Sequence, residues 1–322
     1  MSAEAYLRLA NQGKNNGWRY LLGSALTIFW FIFGMTFTQS LFVLYLDYDG
    51  SAHTGVSSSE AIAAGAPIFV GVSPLVTYII YNLAFPFFLL GLCISLRLFH
   101  QRGVRSLITP YARISWQRIG QGLGVFFLLK VTEVLLNYAL SPDAFTWNFQ
   151  IGSFLAFVPI ILLFTSLQTA TEELFFRGYL LQGIGYRLGK LSAIVLSSVL
   201  FALMHLSNPE VTTQDSWEGV ASLATYYFMM AAFLAWLTLK DSTLELALGV
   251  HAANNMAAFL LLTSDNSVIP SPAVFSVKAL KATFSLVFLC TLWLLVFTYI
   301  VFRVLKRPAV AHLVSQKKSH DE

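Results

Sequence analysis

Residues 151–183 read IGSFLAFVPIILLFTSLQTATEELFFRGYLLQG, and this stretch decides the class of the molecule. Its first half is apolar for long enough to enter a bilayer, which takes about 20 residues of helix. Its second half carries Glu172, Glu173 and Arg177, ionisable groups where a membrane helix should have none. Each costs at least about 2.5–3.5 kcal/mol at a helix centre, even on the lenient insertion scale. The run is too long for one simple crossing. A kink at Pro159 and an extension past the membrane surface are expected.

The rest of the chain agrees with this reading. Of 322 residues, 57% are hydrophobic and 11% charged, with 20 Lys and Arg against 16 Asp and Glu. Soluble proteins carry about 25% charged residues, so a water-facing surface cannot be built from this supply. The mean hydropathy is +0.68. An ordinary cytosolic enzyme, a disordered chain and a nucleic-acid-binding domain are excluded. The net charge of +4 and the pI near 9.0 come from short basic clusters between apolar runs. Such clusters hold loops against anionic lipid headgroups, so the expected partner is the bilayer and no nucleic acid. Cys93 and Cys290 lie in apolar runs and suggest neither a disulfide nor a metal site.

Apolar runs of spanning length fall at roughly 21–46, 74–98, 119–140, 151–183, 190–206, 219–239, 244–264 and 283–303. The fold class is therefore all-α: a polytopic membrane bundle of about eight transmembrane helices, forming one membrane domain over 1–322. The basic residues sort to one side. Arg8, Lys14 and Arg19 precede the first span, Arg97, Arg102, Arg105, Arg113 and Arg118 join the second to the third, and Arg187 and Lys190 form the fourth–fifth turn. Arg303, Lys306, Arg307, Lys317 and Lys318 follow the last span. Asp47, Asp49, Glu60, Asp143, Glu210, Asp215 and Glu218 lie on the other side, where Lys278 and Lys281 dissent. The tails at 1–20 and 304–322 are thus expected in the cytoplasm, and the Gly-, Ser- and Ala-rich loop at about 47–73 outside.

Few ionisable or amide groups remain inside the spans. Lys130 and Glu133 are three apart on one helix face and can neutralise each other. Either a structural ion pair or a role in substrate binding or proton transfer fits them. Glu245 lies near a span end, within reach of the interface. Glu173 and Arg177 are four apart with the acid first, the favourable order for a pair. Glu172 is turned by about 100° from Glu173 and does not share Arg177 equally. One carboxylate is then held and one left available, and a poorly hydrated carboxylate suits a general base. The bland alternative is that both acids pair with Arg177 or face a cytoplasmic vestibule.

His205 follows Phe201 by four, so the ring can pack on the imidazole. Glu172 and His205 lie at similar distances from the turn at 186–190, so antiparallel arms place them at similar depth. His251 and Asn255 share a face, with Asn254 a possible substitute. Their N–H groups can serve as interhelical glue or as an oxyanion hole. Serine, cysteine and H-E-x-x-H protease signatures are absent from the sequence, as is a Gly-rich phosphate loop.

The three clusters Glu172-Glu173-Leu174-Phe175-Phe176-Arg177, Phe201-Ala202-Leu203-Met204-His205 and His251-Ala252-Ala253-Asn254-Asn255 resemble the E-E-x-x-x-R, F-x-x-x-H and H-x-x-x-N motifs of the CAAX-protease and bacteriocin-processing (CPBP) family. The resemblance covers about residues 150–260, the expected catalytic helices. It implies an intramembrane endopeptidase of the type II CAAX prenyl endopeptidase kind, in an eight-span bundle, acting on membrane-associated or prenylated proteins or peptides. It also implies that Glu172 and His205 activate water, that His251 and Asn255 stabilise the oxyanion, and that Glu173 and Arg177, with Phe201, order the site. No cofactor is expected on this reading. A zinc ion on Glu172, His205 and His251 is the alternative. A non-enzymatic scaffold, immunity protein or transporter using the same polar cluster is the reading from another class.

Overall fold

The structure is a computed structural model, and it describes residues 3–49, 73–267, 269, 271–278 and 281–305. The outer loop expected at about 47–73, with Glu60, lies largely outside the described residues. Lys306, Arg307, Lys317 and Lys318 of the C-terminal tail lie outside them too.

The described chain is almost entirely helical. A short α1 (Ala3–Leu7) leads into a 3-10 turn, and α2 (Gly17–Asp49) is the first long helix. Next come α3 (Pro74–Asn82), α4 (Ala84–Ser95), the single turn α5 (Arg105–Ile108) and α6 (Trp116–Leu140). α7 (Ile151–Glu173) passes through a π-helical stretch, Leu174–Leu180, into α8 (Leu181–His205). The single turn α9 (Pro209–Thr212) precedes α10 (Trp217–Asp241), α11 (Glu245–Leu260) and α12 (Phe284–Tyr299). Local chemistry sets several starts: the Ser115 and Ser216 hydroxyls accept the N–H groups of Arg118 and Gly219 as helix caps. Proline opens α3 and α9, where its missing N–H costs nothing.

Among the described residues six helical stretches are long and apolar enough to cross a membrane: Gly17–Leu44, Pro74–His100, Trp116–Leu140, Ile151–His205, Trp217–Asp241 and Phe284–Val304. The stretch Ile151–His205 contains two arms, because Gly189 breaks it with φ 84° and ψ 171°. A positive φ of that size is a glycine conformation. The remaining expected span, the seventh at 244–264, is α11, only 16 residues long, or about 24 Å at the helical rise. It is buried on nearly every side and sits within the bundle rather than against lipid. The count of about eight is thus consistent with the structure, and the protein is an integral, multi-pass membrane protein. Pro159 lies inside α7 without ending it.

Phe88, Leu92, Phe126, Phe176, Leu234 and Phe297 anchor one large buried cluster. Lipid is as apolar as leucine, so helices associate by close packing, and small residues permit it. The α6–α11 contact shows this. A Cβ added to Gly249 would lie 2.6 Å from the Leu123 nitrogen, and one on Gly122 would lie 2.6 Å from the Leu246 oxygen. On the other side of the molecule Leu188, Leu191, Leu200 and Leu203 of α8 are exposed, as a lipid-facing surface requires.

Three features depart from the sequence reading. Glu245 does not reach an interface: it is fully buried and accepts the Ser115 N–H at 2.8 Å, placing a negative charge at the start of α6. Arg118 and Arg102 do more than mark a side. Arg118 is buried in an ion pair with Asp241 at 2.7 Å, and Arg102 is buried with Nη1 donating to Gln182 and to the Leu9 carbonyl. A small sheet also forms, two of its strands where loops were expected and one at Leu262–Ser264, where the span expected over 244–264 ends early, at Leu260. Its central β3 (Phe275–Val277) pairs antiparallel with β1 (Phe145–Trp147) and parallel with β2 (Leu262–Ser264).

Candidate active site

The site is assembled from α7, α8, α10 and α11. The last turn of α7 carries Glu172 and Glu173, and the π-helical stretch carries Arg177. Single π turns occur often at functional sites. Arg177 and Phe201 are each twelve residues from Gly189, on opposite arms, and the guanidinium lies 4.3 Å from the Phe201 ring centre. That contact is what an antiparallel hairpin about Gly189 produces.

Glu173 is fully buried and engaged twice. Its Oε1 accepts Arg177 Nη1–H at 2.6 Å and His251 Nδ1–H at 2.8 Å. Arg177 is itself fully buried and also donates to the Ala231 carbonyl at 3.4 Å. One carboxylate thereby orders an arginine from its own helical arm and a histidine from α11.

Glu172 stands apart from that pair. Its Oε1 accepts only the Gln168 side-chain amide, at 3.3 Å. Its Oε2 is buried, has no hydrogen-bond donor among the described residues, and lies 3.7 Å from His251 Nε2. The division of the two acids matches the helical-face argument: Glu173 is held by Arg177 and Glu172 is not.

His205 ends α8. Its Nδ1 lies 2.8 Å from the Phe201 carbonyl, which can only accept, so Nδ1 carries the proton and Nε2 is left free to act as a base. The imidazole stacks on Phe201 with ring centres 4.4 Å apart. Phe201 also meets the His251 ring edge-on at 5.8 Å, so one aromatic ring spaces both histidines. No hydrogen bond joins Glu172 to His205, but the two are close enough for the carboxylate charge to act on the imidazole.

Glu172, Glu173, Arg177, Phe201, His205 and His251 therefore come together. Asn255 is not joined to His251: its Oδ1 accepts from the neighbouring Asn254 amide at 3.2 Å, and Asn254 in turn accepts from the Tyr226 hydroxyl at 3.4 Å. Lys130 and Glu133 form the expected pair at 2.6 Å. Neither makes a hydrogen bond or ion pair to the cluster among the described residues.

Sequence reasoning passed over Gln168, Tyr227, Glu210 and Asn208. Gln168 was findable, since it lies one turn before Glu172. Tyr227 packs on the second face of His205 at 4.7 Å, and its hydroxyl donates to Glu210. No local pattern links α10 to the segment after α8, and Glu210 carried only the signature of an outer-loop acid. Among the described residues no three His, Cys, Asp or Glu side chains are arranged to hold a metal ion.

Comparison with known proteins places this geometry in a family. Residues 151–257 match the family described as type II CAAX prenyl endopeptidase Rce1-like. The chain is 30% identical over 270 residues to the uncharacterized protein YyaK of Bacillus subtilis (strain 168), covering 83% of this chain and 85% of that one. No solved structure matches it. The matched segment holds all three motifs, on the helices that the structure brings around one buried carboxylate, and the chain belongs to the CPBP family of membrane endopeptidases, in its type II CAAX prenyl endopeptidase (Rce1-like) branch.

Proposed function

We propose that this protein is a metal-free, glutamate-dependent intramembrane endopeptidase. Its substrates are membrane-associated or prenylated, CAAX-type proteins or peptides. The observation that carries the mechanism is Glu172: its Oε2 is buried, without a hydrogen-bond donor among the described residues, 3.7 Å from His251, and on the helix whose other acid is already engaged. A carboxylate kept so poorly solvated is a strong acceptor for a proton from water. Glu172 takes that proton with His205 Nε2 in support, and hydroxide attacks the scissile carbonyl. His251 and the Asn255 side-chain amide stabilise the oxyanion. The proton then passes to the leaving amine, and Glu172 is regenerated. Glu173 and Arg177 hold His251 and the helical arm in register. The termini lie in the cytoplasm, on the side to which the Lys and Arg clusters sort.

The test is Glu172→Gln, which removes the base and leaves a side chain of equal size. Membrane-protein termini are compared by proteomics in cells carrying the wild type or the variant. New termini that appear only with the wild type support the reading and name the substrate. Identical termini in both overturn it and favour the scaffold. A farnesylated, fluorogenic CAAX peptide presented to the purified protein tests the substrate class.

A further inference from the structure

His205 has a second aromatic neighbour that belongs to none of the three motifs. Phe201 covers one face of the imidazole at 4.4 Å with an interplanar angle of 27°; Tyr227 of α10 packs at 4.7 Å and 34°. With Nδ1 fixed on the Phe201 carbonyl, the imidazole has contacts to two rings and one hydrogen bond to set its orientation. A phenylalanine would supply the same ring at position 227. The hydroxyl is used elsewhere: it donates to the Glu210 carboxylate, to which Asn208 Nδ2 also donates at 3.1 Å. Asn208 Nδ2 lies 3.3 Å from the Tyr227 oxygen as well. The turn that carries these groups is itself pinned, by Asn208 N–H on the His205 carbonyl at 3.1 Å and Gln214 Nε2–H on the Glu210 carbonyl at 2.7 Å.

We infer that Tyr227 is a positioning residue for His205, and that Glu210 acts on the histidine by holding the Tyr227 ring through its hydroxyl. This rests on the reading of His205 as a participant in peptide hydrolysis. A carboxylate with a buried, unpartnered Oε2 is costly to keep beside apolar helices. Packing alone gives no reason for it, whereas pinning a phenol does. The turn 206–212 connects directly to the catalytic histidine, so the clamp and the group it orients share one short piece of backbone.

The test uses the full-length protein in detergent micelles and two readouts. One is the rate at which diethyl pyrocarbonate modifies His205, followed by mass spectrometry, which needs no substrate. The other is cleavage of the farnesylated CAAX peptide. Tyr227→Leu removes the second ring and should speed His205 modification several-fold. It should lower kcat about 10- to 100-fold with KM nearly unchanged, the signature of a catalytic group held out of place. Tyr227→Phe and Glu210→Ala should each lower kcat only about 3- to 10-fold, and the double variant no further, because both remove the same link. Unchanged His205 modification in Tyr227→Leu, or additive losses in the double variant, would overturn the inference. If Tyr227→Leu fails to fold, the cycle of the two milder variants decides. Glu172→Gln is the control: full activity there refutes the assignment of the base and leaves the modification result on His205 to be judged by itself.

Discussion

Replacing Glu173 by glutamine removes the carboxylate that is in ion-pair contact with Arg177. The two side chains are 0% and 1% exposed, so water cannot take the place of the lost charge. Breaking a buried pair from one side costs about 3–5 kcal/mol. Three supports remain for the guanidinium: the Phe201 ring at 4.3 Å, the Phe176 ring at 5.9 Å and the Ala231 carbonyl at 3.4 Å. A cation over an aromatic face contributes about 0.5–2 kcal/mol, which places the expected loss near the lower limit, about 3 kcal/mol. Arg177→Met strands the carboxylate instead and should cost a similar amount. The double variant Glu173→Gln/Arg177→Met leaves no isolated charge, and its loss should fall short of the sum by at least about 2 kcal/mol. Equilibrium unfolding in mixed micelles of rising sodium dodecyl sulfate content measures all three. Single variants within about 1 kcal/mol of the wild type, or losses that simply add, refute the claim that this pair is a closed electrostatic unit. Because Glu173 also accepts from His251 Nδ1, the single glutamine variant should lose most peptide cleavage even where it stays folded.

Three further outcomes follow from the packing. Lys130→Met or Glu133→Leu alone leaves a single charge in a membrane helix and should destabilise by about 2.5–3.5 kcal/mol, whereas the double variant should unfold close to the wild type; cleavage by the double variant separates a structural pair from a substrate or proton path. Gly249→Ala drives a methyl group into the α6 backbone and should cost about 1–3 kcal/mol or more, while Gly120→Ala, which meets nothing within 4 Å, should change stability by less than about 1 kcal/mol. Tyr6→Phe withdraws the buried hydroxyl that donates to the Leu107 and Arg177 carbonyls, for a loss of about 1–3 kcal/mol, measured by the same unfolding titration. Cleavage should persist after exhaustive chelation, and a loss restored by zinc would return the metal reading.

The parts of the site legible in the sequence are those whose partners lie within one helical turn or at equal distance from one break. Glu173 and Arg177 are four apart, Phe201 and His205 are four apart, and both pairs are in contact as that spacing requires. The depth match between α7 and α8 follows from counting to Gly189. Glu245, Arg118 and Arg102 were misread for one reason. Each sits near a span end, where charge usually meets headgroups, but each is turned inward and bonded to a residue far away in the chain. Tyr227 carried no signal and Glu210 only that of an outer-loop acid, because their meaning depends on where α10 stands beside α8.

The amino-acid sequence by itself determined the solvent, the helical class, the approximate spans and the three clusters of polar residues that a bilayer should have expelled. Those follow from transfer energies and helical periodicity, which act residue by residue along the chain. Only the tertiary structure decided that Glu173 serves Arg177 and His251 at once, that Glu172 Oε2 has no donor among the described residues and lies beside His251, that Asn255 points to Asn254, and that Tyr227 packs on His205. The rotation of each helix about its own axis is set by how side chains and glycines interlock with neighbouring helices, as at Gly122 and Gly249. That interlocking is a property of pairs of helices distant in sequence, so no window along one of them contains it.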